Sequence, residues 1–182
     1  MKDTIVINLF AGPGSGKSTF CASIFSKLKM KDIDCEMSLE YAKDLVWEES
    51  FKKMDSQLYL FGKQFHRLNR LLGKVDVVIT DSPLLLSPMY DKDQNPTFRK
   101  LVVEEHRKIN TMNFFIERKK KYNPNGRMQT LEEAVAIDNK LKSFLNENNI
   151  IFKSIQGDVE GIDEIVDEIL SSKFPKYRNI VA

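Results

Sequence analysis

Ile5-Val6-Ile7-Asn8-Leu9-Phe10 is a short, mainly apolar run rich in β-branched residues, and it leads directly into Ala11-Gly12-Pro13-Gly14-Ser15-Gly16-Lys17-Ser18-Thr19. Such a run has the composition of a strand buried on both faces of a parallel sheet. Past the loop, Phe20, Ile24 and Leu28, with Cys21 and Phe25 beside them, recur at helical spacing. A buried strand, a glycine-rich turn and a helix in that order point to an α/β fold, because neighbouring parallel strands need a crossover between them.

The loop fits the pattern G-x-x-x-x-G-K-[ST], with Ala11 where the first glycine usually stands. Alanine is still small enough for a tight exit from a strand. The glycines sit at a strand-to-helix turn, where backbone N–H groups can converge on a phosphate. Gly12, Pro13, Gly14, Ser15, Gly16, Lys17, Ser18 and Thr19 are therefore the expected contacts to a nucleoside triphosphate. Lys17 offers a point charge to the β and γ phosphates, and Ser18 offers a hydroxyl to Mg2+.

A length of 182 residues suits one well-buried α/β domain over 1–182. Charged residues make up 30% but the net charge is only +2, so no bulk field argues for nucleic acid or a membrane. Cys21 and Cys35 are too few for a disulfide framework or a metal site and read as reduced thiols of a cytoplasmic protein. No apolar run approaches membrane-spanning length, and the N-terminus lacks the basic-then-apolar form of a signal peptide.

Further strands are expected at 34–39, 75–81, 113–117 and 150–155, and helices at 41–51, 57–72, 98–110, 130–147 and 162–170. The second of these helices is capped by Asp55 or Ser56, with Leu58, Phe61, Phe65, Leu68 and Leu72 on its apolar face and Gly73 as its stop. Thr130 and Glu133 have the spacing of a capping box. Strands alternating with helices imply a parallel sheet covered on both faces.

Parallel α/β sheets place ligands beyond the carboxyl ends of their strands. Asp81 stands at such an end and is expected to hold the Mg2+ shell opposite Ser18, or to accept a proton from the acceptor. Glu40, near the end of the second strand, is a candidate general base; Glu36 reads as a solvated acid. The basic stretch 118–127, with Pro124 and Gly126, reads as a lid over about 118–128 that brings Arg127 or Arg118 onto the developing charge. Gln64, Arg67 and Arg70 read as the wet face of their helix, with Gln64 also a candidate contact to a base or sugar. His66 and His106 read as surface or packing residues, and Trp47 and the phenylalanines as core.

The phosphate loop, Tyr41-Ala42-Lys43-Asp44-Leu45-Val46, Gly62-Lys63-Gln64, Ile79-Thr80-Asp81 and Asn125-Gly126-Arg127 follow one another as in small P-loop kinases. The chain resembles the ribosylnicotinamide kinase domain and similar AAA-type nucleoside and nucleotide kinases, many of them carried by bacteriophages. The resemblance spans about Ile5 to Ile155. It implies a three-layer P-loop kinase fold: a five-stranded parallel sheet, helices on both faces and a basic lid loop, with ATP as donor and a lid arginine assisting transfer. Lys43 stands where those kinases typically have arginine, and Thr80-Asp81-Ser82-Pro83 is not their usual strand ending, so the acceptor does not carry over.

The expected activity is therefore ATP- and Mg2+-dependent transfer to a nucleoside, nucleotide or nucleoside-like molecule, with Lys17, Asp81, Glu40, Arg127 and Arg118 carrying the chemistry. Rival readings are a kinase acting on a hydroxyl of DNA or RNA, and an NTPase or switch working through a protein partner. Nucleic acid is the less favoured substrate, no membrane is implied, and a homodimer stays open.

Overall fold

The computed structural model describes residues 2–119 and 130–174. Five strands form one parallel sheet in the order β2-β3-β1-β4-β5. They are β1 (Ile5–Phe10), β2 (Cys35–Ser38), β3 (Val77–Thr80), β4 (Thr111–Glu117) and β5 (Lys153–Gln156). The helices are α1 (Lys17–Lys29), α2 (Tyr41–Trp47), α3 (Gln57–Asn69), α4 (Pro96–Arg107), α5 (Leu131–Glu147) and α6 (Val159–Lys173), with 3-10 turns at Phe51–Asp55 and Leu84–Met89.

Strand alternation sorts the core into two layers. Ile5, Ile7 and Leu9 of β1 pack with Phe20, Ile24 and Leu28 of α1 and Ile165 and Ile169 of α6. On the other face, Val6 and Phe10 meet Phe61 and Leu68 of α3, Phe98 and Val102 of α4, and Leu141 and Phe144 of α5. All six residues of β1 are buried, as a central parallel strand requires. Both cysteines are free and buried, Cys21 in α1 and Cys35 in β2. Among the described residues, no helix is long and apolar enough to cross a membrane.

Several expected boundaries move for local reasons. α2 stops at Trp47 rather than continuing to 51, because Glu49 takes a left-handed φ of 53°. Ser50 N–H then bonds Leu45 O and Glu49 N–H bonds Val46 O, a Schellman closure built without glycine. α3 is capped by Ser56 and ends at Asn69, three residues early, and Gly73 lies beyond it at φ 76°. α4 starts at Pro96 rather than at 98, with the Asn95 side chain accepting from Thr97 and Phe98 N–H and proline in the first turn. β5 covers 153–156 instead of 150–155, since Asn149 at φ 55° is still turning the chain out of α5. Thr130 and Glu133 do form the capping box of α5.

Three burial expectations fail. Leu58 is 63% exposed, and Trp47 is 80% exposed on the side of α2 away from buried Leu45. Phe51, in the 3-10 turn that follows, is also more than half exposed, although most other phenylalanines lie in the core.

Candidate active site

A row of polar residues crosses the sheet at the carboxyl ends of β2 and β3. Ser38, Thr80, Asn8 and Asn113 are register partners across β2, β3, β1 and β4. Thr80 Oγ1 donates to Ser38 O at 2.7 Å, and Asn8 Nδ2 donates to Asn113 Oδ1 at 2.9 Å. Satisfied polar groups buried in a sheet fix its geometry, because a slip would strand them without partners. The candidate functional residues stand just beyond this row.

The chain leaves β1 through Ala11 and turns through Gly14 and Gly16, whose φ values are 84° and 97°. Glycine adopts this region without steric cost. Gly16 is the N-cap of α1 and offers no side-chain cap, so the first-turn N–H groups of α1 face the loop as orphan donors. That is the arrangement an anionic phosphate satisfies. Lys17 Nζ donates to Ala11 O at 2.8 Å and Gly12 O at 3.0 Å. Burial pushes the Lys17 pKa down, opposed by the carboxylates of Glu40, Asp81 and Asp138.

Asp81 is 4% exposed and lies immediately after β3. Ser18 Oγ donates to its Oδ2 at 2.6 Å, and the Glu40 backbone N–H donates to its Oδ1 at 3.1 Å. The loop hydroxyl and the strand-end acid named from the sequence therefore meet directly, with Glu40 joined to them by its main chain. Glu40 is the N-cap residue of α2 and its side chain is exposed. Glu36 is exposed within β2, away from this end of the strand. Hydroxyl and carboxylate oxygens are the hard donors that Mg2+ takes, so Ser18 and Asp81 fit that ion.

Gln64 is not on the wet face of α3. It is 5% exposed; its Oε1 accepts from Tyr41 N–H at 3.0 Å, and its Nε2 donates to Ser38 Oγ at 3.4 Å and Leu39 O at 3.3 Å. The amide is committed to the β2–α2 junction that carries Glu40. Arg67 is likewise engaged, pairing with Asp44 and lying 4.9 Å over the Tyr41 ring, while Arg70 and His66 are exposed. His106 packs inside α4 at 5% exposure, and burial pushes its pKa down to about 4.

Arg118 lies just after β4 and donates from Nε to Asp138 of α5, with Nη2 3.4 Å from Ala134 O. Asp138 also accepts from Gly12 N–H at 2.5 Å. This acid was not singled out from the sequence, where it is one of many helix acids. Tyr90 was missed as well: its pKa is pushed up to about 12, first by burial of the phenol end and then by Glu40 and Asp138, although about a third of the residue is exposed. Most of the expected lid, including Arg127, lies outside the described residues.

Known proteins resemble this arrangement. A family model described as an AAA domain matches residues 6–161, whereas no curated protein sequence matches the chain. The fold is similar to the NadR protein in complex with NR, with a TM-score of 0.69 and 17% identity over 94% of this chain and 52% of that one. A NadR structure with NAD and AMP-PNP gives 0.71 and 16% over 94% and 50%. The chain thus spans about half the length of the NadR chains. Deoxyadenosine kinase from M. mycoides, with dCMP and a flexible dCDP bound, is similar at TM-score 0.56 and 18% identity over 92% and 99%. At these identities the likeness is one of fold, a three-layer α/β P-loop kinase fold with five parallel strands. The family match runs from the second residue of β1 into the first turn of α6 and so takes in the phosphate loop, Asp81 and all of the sheet but Ile5: the chain belongs to this AAA-domain family.

Proposed function

We propose that the chain is an ATP-dependent kinase that transfers the γ-phosphate to a nucleoside, nucleotide or nucleoside-like small molecule. The observation that carries this reading is the Ser18–Asp81 contact of 2.6 Å beside Lys17 at the mouth of the loop. Hydroxyl, carboxylate and ammonium in one place are the parts that phosphoryl transfer requires. The similarity in fold to deoxyadenosine kinase and to NadR with NR bound supports a nucleoside-like acceptor.

On this reading the first-turn amides of α1 and the loop amides after Gly12 hold the β and γ phosphates. Lys17 keeps its bond to Ala11 O and turns its other donors from Gly12 O to phosphate oxygens, which is favourable because its desolvated ammonium gains an anionic partner. Ser18 and Asp81 would hold Mg2+, which supplies charge neutralisation on the transferring phosphoryl group. Glu40, at the start of α2, takes the acceptor proton; Asp81, which accepts from its backbone N–H, is the alternative base. Arg118 sits beside Gly12 as a second cation for the triphosphate. A part for Arg127 rests on the sequence alone.

The test is transfer of labelled γ-phosphate from ATP with Mg2+ to a panel of nucleosides, deoxynucleosides, nucleotides, nicotinamide riboside and hydroxylated DNA. Label on a small nucleoside-like acceptor is expected. Label confined to DNA, or released only as free phosphate with every acceptor, would overturn the reading.

A further inference from the structure

Asp138 lies on the second turn of α5 and is 8% exposed, so its carboxylate is costly unless both oxygens are engaged. Both are. Oδ1 accepts from Gly12 N–H at 2.5 Å and Oδ2 accepts from Arg118 Nε, the Arg118 and Asp138 side chains being 15% and 12% exposed. The packing admits no side chain between these groups: a Cβ on Gly12 would lie 2.7 Å from Ala134 O and 3.0 Å from both Arg118 Nη2 and Asp138 Oδ1.

The Gly12 amide belongs to the same peptide unit as Ala11 O, and Ala11 O accepts from Lys17 Nζ at 2.8 Å. In a trans peptide N–H and C=O point in opposite directions. Asp138 pulling on one side therefore turns the Ala11 carbonyl toward Lys17 on the other. One buried carboxylate thus orients both cations at the loop: Arg118 directly, and Lys17 through a single peptide plane. A Gly12 amide held in this way is also withdrawn from the phosphate cradle, which leaves the cradle to the amides further along the loop.

We propose that Asp138 is a positioning residue for phosphoryl transfer, coupling the phosphate loop to Arg118 and setting the peptide that aims Lys17. The proposal rests on the kinase reading above. Its two arms are separable. Asp138→Asn keeps an oxygen for Gly12 but turns an NH2 group toward Arg118, whereas Asp138→Ala removes both acceptors.

The experiment measures thermal melting, Mg·ATP affinity by titration calorimetry and turnover for Asp138→Asn, Asp138→Ala, Arg118→Gln and the Asp138→Asn/Arg118→Gln double variant. Asp138→Asn is expected to bind Mg·ATP within about threefold of wild type yet to lose at least tenfold in kcat. Asp138→Ala is expected to lose at least tenfold in affinity as well. The double variant should be no slower than the slower single variant, because both singles cut the same link. Wild-type kcat in Asp138→Asn, or losses that multiply in the double variant, would overturn the proposal. If the Asp138 variants do not fold, undiminished kcat in Arg118→Gln overturns it instead. A wild type that releases only free phosphate from ATP with every acceptor supplied refutes the kinase reading alone, since the same ratios are then read on ATP turnover. A wild type that binds no Mg·ATP removes both.

Discussion

Replacing Gly12 with alanine should loosen the site from inside, by an amount the geometry sets. The new methyl would stand 2.7 Å from Ala134 O, a backbone atom of α5 that cannot swing aside as a side-chain tip can. Either α5 or the loop must retreat, and both movements open the Gly12–Asp138 bond of 2.5 Å. Overpacking of this kind costs about 1–3 kcal/mol. Weakening a hydrogen bond to a charged group costs about 1.5–3 kcal/mol. The two share one displacement and add only in part, giving about 3–4 kcal/mol. For a domain of this size that lowers Tm by about 6–16 °C. Gly16→Ala is the control: nothing lies within 4 Å of its Cβ position, so only the φ of 97° is penalised, at about 1–2 kcal/mol. Thermal unfolding followed by circular dichroism reads both variants. A melting point level with wild type for Gly12→Ala, or a smaller drop than for Gly16→Ala, would refute the close approach of loop and α5.

Lys17→Ala should abolish ATP binding in calorimetry without lowering Tm, because it removes a desolvated cation whose present partners are two loop carbonyls; retained binding would sink the phosphate-loop assignment. Gln64→Ala should destabilise by about 1–3 kcal/mol, since it strands the half-buried Tyr41 N–H and the buried Ser38 hydroxyl, yet leave the ranking of acceptors unchanged; a changed ranking at native Tm would return Gln64 to base recognition. Trp47, the single tryptophan, should fluoresce like solvated indole and be freely quenched by acrylamide; blue-shifted, protected emission would mean that another molecule covers it. His106 is held neutral, with its pKa pushed down to about 4 from 6.5. As pH falls below 6.5 the unfolded chain takes up a proton that the folded chain refuses, so stability drops toward pH 4 by about 3 kcal/mol. The difference between wild type and His106→Gln in urea melts isolates that slope, and parallel pH curves would contradict it.

What could be read from the sequence was local. β1 is legible because every residue of a central strand is buried, and the α5 cap because Thr130 and Glu133 complete a four-residue motif. Asn95-Pro96 carried the start of α4 just as plainly, two residues before the apolar spacing suggested. The end of α2 had no such sign: Glu49 takes the left-handed turn that glycine usually announces. Trp47 shows the limit of equating apolar with buried, because the burial of its helix is set by Leu45 on the opposite side. The active site divides in the same way. Lys17 and Ser18 lie inside a motif, and Asp81 closes an apolar strand, so spacing alone singles them out as candidates. Asp138 acts on Gly12 at a sequence separation of 126 and on Arg118 at 20, and no local pattern encodes either contact. Gln64 looked solvated because helix periodicity says nothing of the β2–α2 junction that folds over it.

Phosphorus NMR of the wild-type chain with Mg2+, ATP and a responsive nucleoside separates group transfer from hydrolysis. ADP and phosphorylated nucleoside should rise in equal amounts while inorganic phosphate stays at background. ADP matched only by inorganic phosphate, whatever acceptor is supplied, would contradict group transfer.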